Sequence, residues 1–130
     1  ALYQKIELAG RGQVFNAPMD LELTPTDVVQ PDLIVVLAEN DEIVLPSRLR
    51  GAPDLVVEIL SPSTRDIDRT LKRSLYDAQN VPEYWLVDVD ERTVTRYRRV
   101  DGRYAEPETF RSAIDFAGVE VDLAAVWRRL

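Results

Sequence analysis

The hydrophobic positions of this chain fall into three dense blocks set between polar stretches that contain Pro or Gly. The blocks are Pro31 to Ala38 (PDLIVVLA), Asp54 to Leu60 (DLVVEIL) and Glu83 to Val89 (EYWLVDV). Each is short, rich in β-branched or aromatic residues and largely apolar on both faces, which predicts interior strands covered on both sides. Between the second and third, Ser61, Pro62, Ser63 and Thr64 interrupt the ladder and offer hydroxyls to cap a helix. The spacing then predicts a helix over Arg65 to Gln79, with Ile67, Leu71, Leu75 and Ala78 as one buried stripe. Asn80, Val81 and Pro82 end it. Strand, strand, helix, strand is the order of an α/β domain with a mixed sheet flanked by helices.

The remaining segments read as trimmings of that core. Ala1 to Ala9 reads as the end of a helix stopped by Gly10, and a chain opening on Ala1 leads us to expect that the natural protein begins earlier. Ala17 to Leu23 alternates and predicts a half-buried strand, closed by Thr24, Pro25 and Thr26. Glu39 to Glu42 predicts a loop, Ile43 to Leu45 a short strand, and SRLRGAP a basic turn carrying Arg48 and Arg50. Arg92 to Val100 alternates and predicts a strand paired with the third block or, across the Asp101-Gly102 turn, with Arg103 to Ala105. Leu123 to Arg129 predicts a short terminal helix. With 130 residues and no linker, a single domain over residues 1–130 is expected.

Composition narrows the chemistry. The chain has no cysteine and no histidine, which removes disulfides, thiolate zinc sites, HExxH sites, Ser-His-Asp and Cys-His triads and imidazole bases. Carboxylates, lysine, tyrosine and serine are left, an inventory that suits a hard cation held by oxygen ligands. The longest apolar runs are far short of a membrane span, so a cytoplasmic location is expected. A formal net charge of −7 opposes whole-surface attraction to nucleic acid, so any such binding needs a local basic patch.

One residue breaks the hydrophobic pattern. Glu58 lies inside DLVVEIL on the same face as Val56 and Leu60, and an ionised, unpaired carboxylate in a dry interior costs several kcal/mol. It therefore needs a cation, hydrogen-bond donors or a raised pKa. Asp32 stands at the mouth of the first block, on the face of Ile34 and Val36. If the two strands are antiparallel neighbours, the carboxylates converge at one end of the sheet, where two carboxylates and water can bind Mg²⁺.

Pro31-Asp32, 25 intervening residues and Glu58 resemble the PD-(D/E)XK nuclease motif, a Pro-Asp opening one strand and a second acid in the next. More narrowly, PTDVVQPDLIVV and GAPDLVVEILSPSTRDIDRTLKRSLYDAQNVPEYWLVD are similar to the large bacterial family of Uma-type restriction endonucleases, formerly a domain of unknown function. The resemblance covers roughly residues 10 to 100 and rests on several blocks in the right order. It implies a restriction-endonuclease-like fold and a metal-dependent endonuclease hydrolysing phosphodiester bonds. Mg²⁺, or Mn²⁺, would be held by Asp32 and Glu58, with DNA the expected nucleic acid. The lysine of the acid-x-Lys element is absent, since Leu60 occupies its place. The resemblance implies that Lys72, on the following helix, takes over. Asp68, Lys72 and Tyr76 are spaced four apart, so Lys72 lies on a stripe that can reach the carboxylates.

Each assignment has a plainer competitor. Glu58 could be satisfied by a salt bridge within the fold. Asp32 could be a turn residue accepting backbone hydrogen bonds. Asp54 also follows a proline on the Glu58 face, but four strand residues span roughly 13 Å, so it ranks behind as a ligand. Tyr76, also second-ranked for the site, reads with Tyr84 and Trp85 as a packing residue. Arg48, Arg50, Arg65, Arg69 and Arg73 supply a weak candidate phosphate track, although the helix arginines could pair with Asp66, Asp68 and Asp77. The alternative function is a catalytically degenerate nuclease-fold protein acting in partner binding or self-association, for example as a homodimer.

Overall fold

The computed structural model describes residues 2–60 and 65–128, with the side chains of 65–69 left out. After a helical turn at Tyr3–Glu7 come β1 (Gly12–Asn16), β2 (Leu21–Thr24), β3 (Asp27–Val29) and β4 (Leu33–Leu37). A 3₁₀ segment at Ala38–Ile43 leads to β5 (Leu49–Arg50), β6 (Leu55–Ile59), α1 (Arg65–Ala78) and β7 (Glu83–Asp88). The chain finishes with β8 (Thr93–Val100), β9 (Arg103–Tyr104), β10 (Glu108–Phe110), β11 (Ala113–Phe116), β12 (Val119–Asp122) and α2 (Leu123–Arg128).

The three apolar blocks are adjacent strands at the centre of a seven-stranded mixed sheet of order β1-β4-β6-β7-β8-β10, with β9 paired to β8. β4 and β6 are antiparallel, with Leu33 opposite Val57 and Val35 opposite Leu55. β6 and β7 are parallel, and α1 makes the crossover that parallel neighbours need. Alternation along these strands sends side chains into two separate cores. Ile34, Val36, Val56, Tyr84 and Leu86 face α1 and a small β3-β2-β5 sheet, where Tyr76, Leu21 and Leu49 close over them. Val35, Leu55, Val57 and Trp85 face the other way, covered by Ile6, the β11–β12 hairpin and α2 through Phe116, Val121 and Trp127. Strands apolar on both faces are what this double covering requires. Among the described residues no helix is long and apolar enough to cross a membrane.

Four local points differ from the sequence reading. The predicted Ala17 to Leu23 strand begins only at Leu21, after a cis Ala17-Pro18 bond, and an unpredicted strand, β1, pairs with the first block. Ile43 closes the 3₁₀ segment, and of its predicted strand only Val44 makes a bridge, to Leu49. The stretch from Glu108 to Asp122, for which no element was predicted, holds three short strands, of which β11 and β12 send Ile114, Phe116 and Val121 into the core and their intervening residues Asp115 and Glu120 to solvent. The fourth correction bears on the site. Leu71 is 65% exposed and Ala78 is exposed, whereas Tyr76 is fully buried. The helix is turned by about one residue, or ~100°, from the expected stripe. Burying the large Tyr76 ring against Tyr84, at 5.1 Å between centroids, outweighs burying Leu71. The side chain of the predicted stripe residue Ile67, and the capping Ser61, Pro62, Ser63 and Thr64, lie outside the described structure.

Candidate metal centre

Register places the carboxylates together. Leu33 opposite Val57 makes Asp32 the next residue on β4's open end, level with Glu58 on β6 and on the same sheet face. Asp32 Oδ2 accepts a 2.7 Å hydrogen bond from the Ile59 amide, continuing the ladder with a side-chain acceptor where β4 itself has ended. That contact fixes the Asp32 carboxylate beside Glu58. Asp32 is exposed, while Glu58 retains 6% exposure.

The rotation of α1 turns Lys72 and Tyr76 toward the sheet. Tyr76 Oη donates a 2.7 Å hydrogen bond to Glu58 Oε2, and Lys72 Nζ lies 3.2 Å from the same oxygen. Burial pushes the Glu58 carboxyl above its ordinary value; the Tyr76 hydrogen bond and the Lys72 ammonium oppose that, and the neighbouring Asp32 charge adds to it. Burial, reinforced by the Glu58 charge, raises Tyr76 far above the usual phenol range, so it stays protonated and acts as a donor. All three means by which a buried carboxylate can be tolerated are therefore present or prepared: a cationic neighbour, a donor and a raised pKa.

Asp32, Glu58, Lys72 and Tyr76 are thus brought into one cluster from β4, β6 and α1. Asp54 is not in it. Its Oδ2 accepts hydrogen bonds from the Leu37 amide at 2.7 Å and from Asn40 Nδ2 at 3.3 Å, tying the far end of β4 to the start of β6. Arg48 and Arg50 both turn to Glu22, at 3.8 Å and 2.5 Å. Arg73 lies over the Tyr97 ring, 5.7 Å from its centroid. The side chains of Arg65, Asp66, Asp68 and Arg69 lie outside the described residues. Asp77 pairs with Arg99 of β8, whereas a pairing with the helix arginines was one alternative in the sequence. Sequence reasoning missed the line of rings that runs from the cluster, Tyr76 to Tyr84 to Tyr97 to Tyr104, with centroid steps of 5.1, 5.7 and 5.8 Å. The four-residue step from Lys72 to Tyr76 was the available signal for Tyr76; no local pattern ties it to Tyr84 or Glu58.

Among the described residues no group of three or more Asp, Glu, His or Cys is placed to hold a metal ion. Two carboxylates are present, one oxygen of each engaged by the protein as above. The other pair, Asp32 Oδ1 and Glu58 Oε1, has no hydrogen-bond or ion-pair partner among the described residues. This donor set fits Mg²⁺ or Mn²⁺, hard cations that accept one or two protein carboxylates and fill the remaining positions with water.

A family model, Uma2, described as "Putative restriction endonuclease", matches residues 1–124. Among solved structures, a "putative nuclease belonging to DUF820" from Anabaena variabilis superposes with a TM-score of 0.77 at 18% identity, over 98% of this chain and 74% of that one. At that identity the likeness establishes the fold. No curated protein matches the chain.

Proposed function

The chain belongs to the Uma2 family, and on that premise we propose that it is a divalent-cation-dependent nuclease hydrolysing phosphodiester bonds, with DNA as its first-choice substrate. The observation that carries the proposal is the convergence of Asp32 and Glu58 at one end of β4 and β6 with Lys72 against Glu58. Asp32 and Glu58 would hold Mg²⁺ or Mn²⁺. When bound, such an ion supplies a water of lowered pKa and positive charge for the phosphate.

The protein's own groups have separable tasks. Asp32, locked by the Ile59 amide, presents one carboxylate oxygen at the sheet end. Glu58 presents another from within the sheet. Lys72 neutralises Glu58 and places a cationic amine beside the position where phosphate charge develops, a form of electrostatic stabilisation that needs no reorganisation. Arg73, with Arg65, Arg69, Arg48 and Arg50, is the candidate source of the local positive field that a chain of net charge −7 requires. Arg48 and Arg50 would have to exchange Glu22 for phosphate.

A second reading draws support from Lys72 and Tyr76, which engage Glu58 Oε2 without a metal ion: a non-catalytic member of the fold acting through partner binding or as a homodimer. The intact protein incubated with DNA and RNA panels and Mg²⁺ or Mn²⁺ separates the two. The nuclease reading expects cleavage that disappears in Asp32→Ala and in Glu58→Ala. Cleavage unchanged in both variants overturns the site assignment, and absence of divalent-cation binding by calorimetry favours the second reading.

A further inference from the structure

We infer that Tyr76 is a positioning residue that, together with Lys72, reserves one oxygen of Glu58 for the protein and leaves the other for the cation, so that Glu58 ligates through Oε1 alone. The inference rests on the reading of Asp32 and Glu58 as the cation site. Three observations carry it. The Tyr76 hydroxyl and the Lys72 ammonium meet the same atom, Oε2, at 2.7 Å and 3.2 Å. The side of the carboxylate bearing Oε1 has no such partner among the described residues, and Asp32 is divided in the same way, with Oδ2 on the Ile59 amide and Oδ1 without a partner. Tyr76 itself is held without freedom to move away: its side chain is fully buried and its ring packs on Tyr84, which stacks on Tyr97 at 5.7 Å and 18° between planes.

A carboxylate with one oxygen already engaged by two donors gains little by turning that oxygen to a cation, because the fully buried Tyr76 hydroxyl would lose its acceptor. Single-oxygen ligation from each carboxylate leaves more coordination positions for water and phosphate than two-oxygen ligation, which suits the octahedral preference of Mg²⁺. Groups that orient a ligand in this way, without touching the ion, commonly govern affinity by about 10–100-fold. Tyr76 needs its hydroxyl for this task and its ring for packing, so Tyr76→Phe separates the two: packing is retained and the hydrogen bond is lost.

The test uses the intact protein and Mn²⁺ in calorimetry, with Mg²⁺-induced infrared difference spectra as the second measurement. Tyr76→Phe is expected to bind Mn²⁺ about 10-fold more weakly than wild type. The wild-type infrared spectrum is expected to show the wide carboxylate band separation of single-oxygen ligation, narrowing in Tyr76→Phe. Equal Mn²⁺ affinity in the two proteins overturns this inference and leaves the cation site standing. A two-oxygen signature in wild type overturns it even if the variant does not fold. Absence of any Mn²⁺ binding by wild type overturns the cation-site reading, and this inference with it.

Discussion

Tyr76 and Glu58, eighteen residues apart, are joined by a 2.7 Å hydrogen bond inside the protein, and with the packing of Tyr76 on Tyr84 it sets the face that α1 presents to the sheet. The helix exposes Leu71, its best apolar candidate, and buries a tyrosine and half-buries a lysine. A buried carboxylate left without donors would cost more than an exposed leucine loses, since the leucine forgoes only its transfer free energy of roughly 1.5–3 kcal/mol.

Lys72→Met is expected to lower cleavage by about 100-fold or more, the scale seen when one preorganised electrostatic group is removed. It should also destabilise the fold by about 1–3 kcal/mol near neutral pH, because Glu58 stays buried with Tyr76 as its remaining donor. The sign of the pH dependence follows from Glu58. Its folded-state pKa is raised, so its contribution is most favourable below its unfolded value of 4.5 and declines as pH rises through the folded value. Removing Lys72 raises that pKa further. Urea midpoints should therefore show the variant's deficit shrinking on acidification; a deficit independent of pH would contradict the role given to Lys72.

Glu83 offers an independent check away from the site. It is 7% exposed, accepts from Trp85 Nε1 at 2.6 Å and from Arg98 Nε at 3.3 Å, and burial raises its pKa despite both partners. Wild-type stability from this group is thus full below pH 4.5 and is lost as pH rises through the raised folded value. Glu83→Gln keeps an acceptor and removes the ionisation. Its stability relative to wild type should increase from acid toward neutral pH in chemical denaturation; a constant difference would show that Glu83 titrates as it does in the unfolded chain.

Arg96 fastens the β11–β12 hairpin to the sheet. It is 4% exposed, donates from Nη1 to Asp115 O and Oδ1 at 3.0 and 2.9 Å and from Nη2 to Glu108 Oε1 at 3.1 Å, and covers the Phe110 ring. Arg96→Met should cost about 1–3 kcal/mol through the lost charge-assisted bonds, the freed carboxylates being solvent-exposed. Hydrogen exchange should accelerate at amides of β11 and β12 before those of β6 and β7. Uniform acceleration across the sheet would argue against a local fastening.

Gly12 of β1 lies tight against the backbone of β4, opposite Leu37. A Cβ built there would lie 2.4 Å from the Val36 carbonyl oxygen and 2.8 Å from Leu37 Cα, both backbone atoms that cannot turn aside. Gly12→Ala is expected to cost about 1–3 kcal/mol by forcing the strands apart. Thermal unfolding of the variant measures this, and an unchanged Tm would mean that β1 shifts without loss.

The periodicity of Pro31 to Ala38, Asp54 to Leu60 and Glu83 to Val89 determined three covered strands and the helix between the last two, because burial on both faces leaves a composition that few other environments tolerate. Glu58 was legible for the converse reason: a carboxylate inside such a run is costly enough to demand a partner. The presence of Lys72 and Tyr76 on one helical stripe was legible too. What the chain could not disclose locally was how the elements meet. Only the antiparallel register of β4 and β6 sets Asp32 level with Glu58, and only packing against Tyr84 together with the donor that Glu58 needs decides that α1 turns Tyr76 inward and Leu71 outward. Asp54 and Asp32 both follow a proline and precede an apolar strand, and only the four-residue distance of Asp54 from Glu58 along one strand ranked it second in the sequence. The fold adds the partners, giving Asp54 to the Leu37 amide at one end of β4 and leaving Asp32 beside Glu58 at the other, since which backbone donors lie within reach is a property of the assembled sheet.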